Sequence, residues 1–166
     1  ESFDCVVCIG GVINYLLDKE QSGIEEMLRV LRPGGKLIVG AMSFIGASLF
    51  YLDGIRQEKN LFGIEATKWI FDTGVQDEDH YPVPSKHYVH MMRSAEMDAL
   101  FSNFPVKVVE RSSAGLFSQS GNDALENARK DKEFWELIIK QEIEFTKLQG
   151  TLDCGMNIIY VVEKSK

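Results

Sequence analysis

Three histidines, His80, His87 and His90, crowd into one stretch of the chain, with Asp77, Glu78 and Asp79 beside the first of them. Imidazole and carboxylate together are metal ligands, and a histidine beside a substrate is a base that works near neutral pH. The i, i+4 pairing of a helical metal motif is absent, which weighs against a metal site, and an acidic run of this kind is most often a solvated loop. Surface or helix-capping histidines are the plain alternative. Three cysteines offer a second candidate, because Cys5 and Cys8 form a C-x-x-C pair. They lie in an apolar, strand-like run, where residues three apart face opposite ways. A redox pair needs a helix N-terminus to stabilise its thiolate, and no second pair completes four zinc ligands. The expectation is two buried small hydrophobes and a reducing, cytoplasmic setting.

Positioning elements follow from the hydrophobic pattern. Phe3–Ile9 is apolar and β-branched, a strand, followed by Gly10-Gly11 and a short helical piece. Asp18 is placed to cap the next helix, in which Ile24, Met27, Leu28 and Leu31 form one apolar stripe. Pro33-Gly34-Gly35 ends it, and Lys36–Ala41 is a continuously apolar strand of the kind covered on both faces. Strand, helix, strand is a βαβ unit with a parallel pair. The next strand begins only at Val106, about sixty residues later, where a crossover needs about a dozen. Helices near Phe44–Gln57 and Ile64–Phe71, an acidic Pro-bearing loop and a helix capped by Ser94 fill the interval. That last helix carries Met97, Leu100, Phe101 and Phe104 on one face. A single long helix, Asp123–Gln149, apolar on more than one side, precedes a final strand.

The chain has 166 residues, 45% of them hydrophobic, enough for one domain with a real core. Its formal charge of −7 argues against nucleic-acid binding, which needs clustered Lys and Arg. The run "LIVGAMSFIGASLFYL" is too short and too broken by Gly and Ser for a membrane span. A small molecule is the expected partner, with neither nucleic acid nor membrane.

"FDCVVCIGGVINYLLD…MLRVLRPGGKLIVGAMS" resembles the second half of a class I S-adenosylmethionine-dependent methyltransferase of the small-molecule type. "SKHYVHMMRSAEMDALF" and "EFWELIIKQEIEF…LDCGMNIIYVVEK" are similar to that family's lid segments. The resemblance implies an α/β fold: strands four to seven of a Rossmann-like seven-stranded sheet, the last antiparallel and inserted between the fifth and sixth, with helical lid insertions. On that reading residues 1–166 are one partial methyltransferase domain, with residues 1–41 the βαβ core and 42–93 a lid over the substrate. Residues 94–117 supply a helix and strand, and 118–166 the long helix and final strand. The glycine-rich cofactor loop after the family's first strand has no counterpart here, which implies that the first three strands lie outside this sequence. S-adenosylmethionine binding is then expected only when that half is present.

The resemblance assigns Cys8, Ile9, Gly10 and Gly11 to the cofactor side, where small residues let the backbone approach. It places His87 and His90 in the substrate pocket, one of them a base, with Asn14, Tyr15, Tyr88 and Arg93 as substrate contacts. Tyr15 equally suits the core, and Arg93 an exposed salt bridge. The function implied is methyl transfer to a small acceptor; the alternative is a non-catalytic dimerisation or regulatory module that has lost the cofactor site. The strand Phe3–Ile9 presents an apolar edge, and such an edge pairs with another chain or with more of its own.

Overall fold

A computed structural model describes residues 2–165. The first strand, β1 (Phe3–Cys8), leads through two 3₁₀ turns, Val12–Tyr15 and Leu17–Lys19, into α1 (Glu20–Val30) and then β2 (Leu31–Met42). Three helices follow: α2 (Phe44–Phe50), α3 (Leu52–Phe62) and α4 (Ile64–Thr73). A two-stranded ribbon of β3 (Val75–Gln76) and β4 (Val89–His90) comes next, then α5 (Ser94–Ser102) and β5 (Val106–Ala114). The chain ends in α6 (Asn122–Arg129), α7 (Lys132–Phe145) and β6 (Asn157–Lys164).

The main sheet has the order β1-β2-β6-β5. β1 and β2 are parallel, and β6 runs antiparallel to both of its neighbours. The fold is therefore mixed α/β, and the last strand is inserted between the second and the fifth. Alternation fixes which side chains enter the core. Leu37, Val39 and Ala41 face one way along β2, opposite Val162, Tyr160 and Ile158 on β6, and all six are fully buried. Ile24 and Leu28 of α1, with Met97 and Phe101 of α5, pack into the same cluster. A second, smaller cluster lies among α2, α4 and β4, built on Phe44, Ala47, Ile70, Tyr81, Val89 and Met91.

Several local expectations are corrected. Asp18 does not cap α1: it sits inside a 3₁₀ turn, and the helix starts after Lys19 without a side-chain cap. Pro33-Gly34-Gly35 lies within the entry of β2 rather than ending the helix, which stops at Val30; Gly34 takes φ +75° there. The helix expected at Phe44–Gln57 is two, divided at Tyr51. Ser94 is the first residue of α5, and its hydroxyl and N–H donate to Asp153 instead. The single long helix is also two, because Asp131 accepts from the Phe134 N–H at 3.0 Å and starts α7 afresh. Cys5 is exposed, not buried, since it lies on the outer face of β1; Cys8 on the other face is half-buried, and burial pushes its thiol pKa up. On α7, Phe134, Leu137 and Ile143 are exposed. Among the described residues no helix is long and apolar enough to cross a membrane.

The seam between the insertion and the sheet is tight at Gly46. Its N–H donates to the Asp153 carbonyl at 3.0 Å, and a Cβ there would overlap the Gly155 backbone. Gly46→Ala should lower stability by roughly 1–3 kcal/mol, the usual cost of forced overpacking. Gly54→Ala, where a Cβ meets nothing within 4 Å, should leave it unchanged or slightly raised. Urea-denaturation midpoints of the two variants check the contrast.

Candidate functional site

Everything at the site begins with the turn after β1. Gly10 and Gly11 both adopt left-handed backbone, φ +79° and +75°, which favours glycine over residues with a Cβ. The double turn sends the chain sharply into Val12–Tyr15 and aims Asn14 inward. Asn14 is fully buried, and its side chain is committed to backbone: the carbonyl oxygen accepts from Met42 N–H at 2.7 Å, and the amide donates to His90 O at 2.6 Å and Met42 O at 3.3 Å. Met92 N–H donates to Met42 O at 2.9 Å and Phe44 N–H to Met92 O at 2.9 Å, extending the same seam. The segment around β4 is thereby fastened to the end of β2.

With that segment fixed in extended form, side chains alternate. His87, Val89 and Met91 line one cavity. Tyr88 and His90 do not. The cavity encloses about 470 Å³, within the range of small-molecule sites. Tyr15 reaches it from the turn, and its hydroxyl lies 3.2 Å from His87 Nε2, with the two rings edge to face at 5.0 Å. Ala47, Tyr51, Ile55 and Glu58, spaced by about one turn along α2 and α3, form the facing wall. Gln76, directly opposite Val89 in the ribbon, completes it and donates to Glu58 Oε2 at 2.9 Å.

Of the candidates named from sequence, Tyr15 and His87 are thus brought together. His90 is corrected. Its Nδ1 lies 2.8 Å from Glu20 Oε1 and its Nε2 3.5 Å from Glu96 Oε1. Hydrogen bonds to Glu20 and then Glu96 outweigh burial and raise its pKa from 6.5 to about 9. That shift favours the protonated imidazole, the cation of a half-buried cluster with Glu20 and Glu96. Burial alone would push the Glu96 carboxyl up, but the bonds from His90 and from the Arg93 N–H hold it below its ordinary value. The Asn14 side chain is held on backbone groups and is not part of the cavity lining. The Arg93 guanidinium stacks over Phe44, 4.1 Å from the ring centroid, and donates to Phe71 O at 3.3 Å, away from the cavity lining. His80 stacks on Trp69 at 4.1 Å and pairs with Asp77 at 2.8 Å. Among the described residues no group of three or more His, Cys, Asp or Glu is placed to hold a metal.

Sequence reasoning missed Glu58, Gln76 and Tyr51. The helical spacing from Ala47 to Glu58 was the available signal for two of them.

On the outer side of the same turn, Ile9 and Val12 are 57% and 53% exposed, and a Cβ on Gly10 would meet nothing within 4 Å. Ile9 and Gly10 therefore lie open at the C-terminal end of β1, where parallel α/β sheets bind their ligands, while Gly11 behind them is buried.

Residues 1–39 match the family model described as a methyltransferase domain. The match spans β1, the Gly10-Gly11 turn, α1 and β2 as far as Val39. The likeness to methyltransferase domains is thus confined to this β1–α1–β2 unit, well under half of the chain. No curated protein matches the chain.

The ion cluster has a pH signature. The folded pKa of His90, about 9, lies above its ordinary 6.5, so its contribution is complete below pH 6.5 and is lost as pH rises through 9. The shift corresponds to on the order of 3 kcal/mol. Denaturation midpoints should fall between pH 6.5 and 10 in the wild type by more than in His90→Gln, and parallel curves for the two would remove the cluster's role.

Proposed function

We propose that this chain carries the acceptor half of a methyltransferase site, transferring a methyl group from S-adenosylmethionine to a small molecule held in the Tyr15–His87 cavity. The observation that carries the reading is one of placement: the turn with Ile9 and Gly10 exposed and the cavity, open at its Tyr15–His87 end, are joined by a short link, and Tyr15 at the end of that link touches His87. A cofactor against the turn and an acceptor in the cavity are neighbours by construction.

The residues present fit one wall of a cofactor site. Gly10 leaves room for close approach, and Ile9 and Val12 offer exposed apolar surface. The sheet supports the same reading. Its order and directions correspond to strands four, five, seven and six of the seven-stranded methyltransferase sheet, and the outer edge of β1 is where the remaining strands would pair. On this reading the rest of the cofactor site is supplied there.

When bound, S-adenosylmethionine supplies an electrophilic methyl on a positively charged sulfur. The chain's own residues then have two tasks. The first is to hold the acceptor in line, which the cavity walls do by excluding other poses. The second concerns a proton, because a hydroxyl or ammonium acceptor must lose one. His87 Nε2, in the tautomer with that nitrogen unprotonated, has one lone pair, which the Tyr15 hydroxyl occupies at 3.2 Å; the acceptor displaces that hydroxyl and gives its proton to the nitrogen. His90, fully engaged with Glu20 and Glu96, takes no part in the proton transfer. The cavity's volume of about 470 Å³ is that of a small acceptor.

Calorimetry with S-adenosylmethionine should show binding to the natural protein that contains these residues. With an acceptor in hand, His87→Gln should lower kcat by roughly a hundredfold with the fold intact, and Tyr15→Phe should lower it by less. No cofactor binding by that protein overturns the reading; unchanged turnover in His87→Gln overturns the role of the base.

A further inference from the structure

The cavity's charge is one-sided. Tyr15, Tyr51, Gln76 and His87 are its polar lining groups besides Glu58, and Glu58 is the one carboxylate or fixed cation among the lining residues. The cations nearest it in sequence do not reach it: Arg56 pairs with Asp53 at 2.9 Å, and the exposed Lys59 donates to Asn60 at 3.4 Å, and neither lines the cavity. Among the described residues no Lys, Arg or His forms an ion pair with Glu58. What Glu58 has is the neutral amide of Gln76, which donates to Oε2 at 2.9 Å and fixes the carboxylate's orientation without cancelling its charge. The charge is felt across the wall. Burial, with Glu58 as the next cause, pushes the Tyr81 hydroxyl up to about 12.

A half-buried carboxylate, oriented by a neutral donor and set in an otherwise apolar and aromatic cavity, is the arrangement that selects a cation. Charge-assisted hydrogen bonds in such surroundings are worth more than neutral ones, and the Tyr51 and Tyr15 rings can face a cation favourably. An anionic ligand would meet Glu58 with no compensating cation on the lining.

We propose that Glu58 is a specificity-determining residue and that the cavity takes an organic cation, a small apolar or aromatic body carrying a protonated amine that pairs with the Glu58 carboxylate. This rests on the reading of the cavity as the acceptor site. The amine paired to Glu58 is an anchor, and the group that reacts is the one presented to His87.

Three probes of one skeleton separate the charge states: tyramine as the cation, 4-hydroxyphenethyl alcohol as the neutral analogue, and 4-hydroxyphenylacetate as the anion. Calorimetric titration of each into the natural protein should give binding of the amine at least about tenfold tighter than of the alcohol, with the acid weakest, in line with a charge-assisted bond. Glu58→Gln should bring amine and alcohol to the same affinity, and Glu58→Lys should favour the acid. Glu58→Gln keeps the side chain's shape and should keep the wild-type melting profile, and a melting curve of Glu58→Lys checks that its fold is intact before its affinities are compared. Failure of the amine to bind at millimolar concentration, or retention of its preference in Glu58→Gln, overturns the proposal. Selective amine binding without S-adenosylmethionine binding would leave the cation site standing and remove the methyl-transfer reading. Methylation of an amine-bearing acceptor with the same kcat and KM in wild type and Glu58→Gln would do the reverse.

Discussion

The site hangs on one buried amide. Asn14 gives its oxygen to the Met42 N–H and its nitrogen to the carbonyls of Met42 and His90, so three elements meet at one side chain: the turn after β1, the end of β2 and the ribbon strand β4. An unpaired buried backbone group costs about 1–3 kcal/mol, and these groups lie where water cannot take over, since Asn14 is fully buried. No apolar residue can replace it, and Asp would bring acceptors where two carbonyls need donors. The requirement for a side chain that both donates and accepts explains why an asparagine stands in an otherwise apolar turn.

From that clamp the chemistry of the histidines follows. Pinning His90 O to Asn14 fixes the phase of the extended segment, and alternation does the rest. His87 enters the cavity beside Tyr15, while the His90 ring turns toward α1 and α5 and meets Glu20 and Glu96. Two imidazoles three residues apart thus receive opposite environments. One faces a hydroxyl and a cavity; the other is enclosed by two carboxylates and holds its proton. A shift of phase by one residue would exchange them, which is why the register of so short a ribbon matters.

The strands were legible in the sequence because each is a run of β-branched and apolar residues, and periodicity reports such runs well. The strand read at Phe3–Ile9 and the one read as beginning at Val106 coincide with β1 and β5 to within a residue or so at those bounds, and the expected final strand is β6. Breaks between adjacent helices were not legible. Asp131 reads as one more charge in a polar stretch until its carboxylate is seen on the Phe134 N–H, and nothing in composition divides α2 from α3 at Tyr51. Partners far apart in the chain were invisible for a stronger reason. Glu20 and His90 are seventy residues apart, so no local pattern joins them. Glu58 was hidden otherwise: on a helix otherwise rich in charge it looks like solvated surface, and only its position on the stripe from Ala47 distinguishes it.

The geometry also ties the two halves of the site to each other. Gly10 and Gly11 belong to the open turn at the end of β1, Asn14 to the clamp, and Tyr15 to the cavity, all within six residues. A ligand pressed against the turn bears on a segment whose far end carries the hydroxyl that contacts His87. Because Asn14 between them is held by three hydrogen bonds, that segment transmits position rather than absorbing it. A rigid link of this kind suits a displacement reaction, in which the distance between two bound molecules must be set by the protein and not by either ligand.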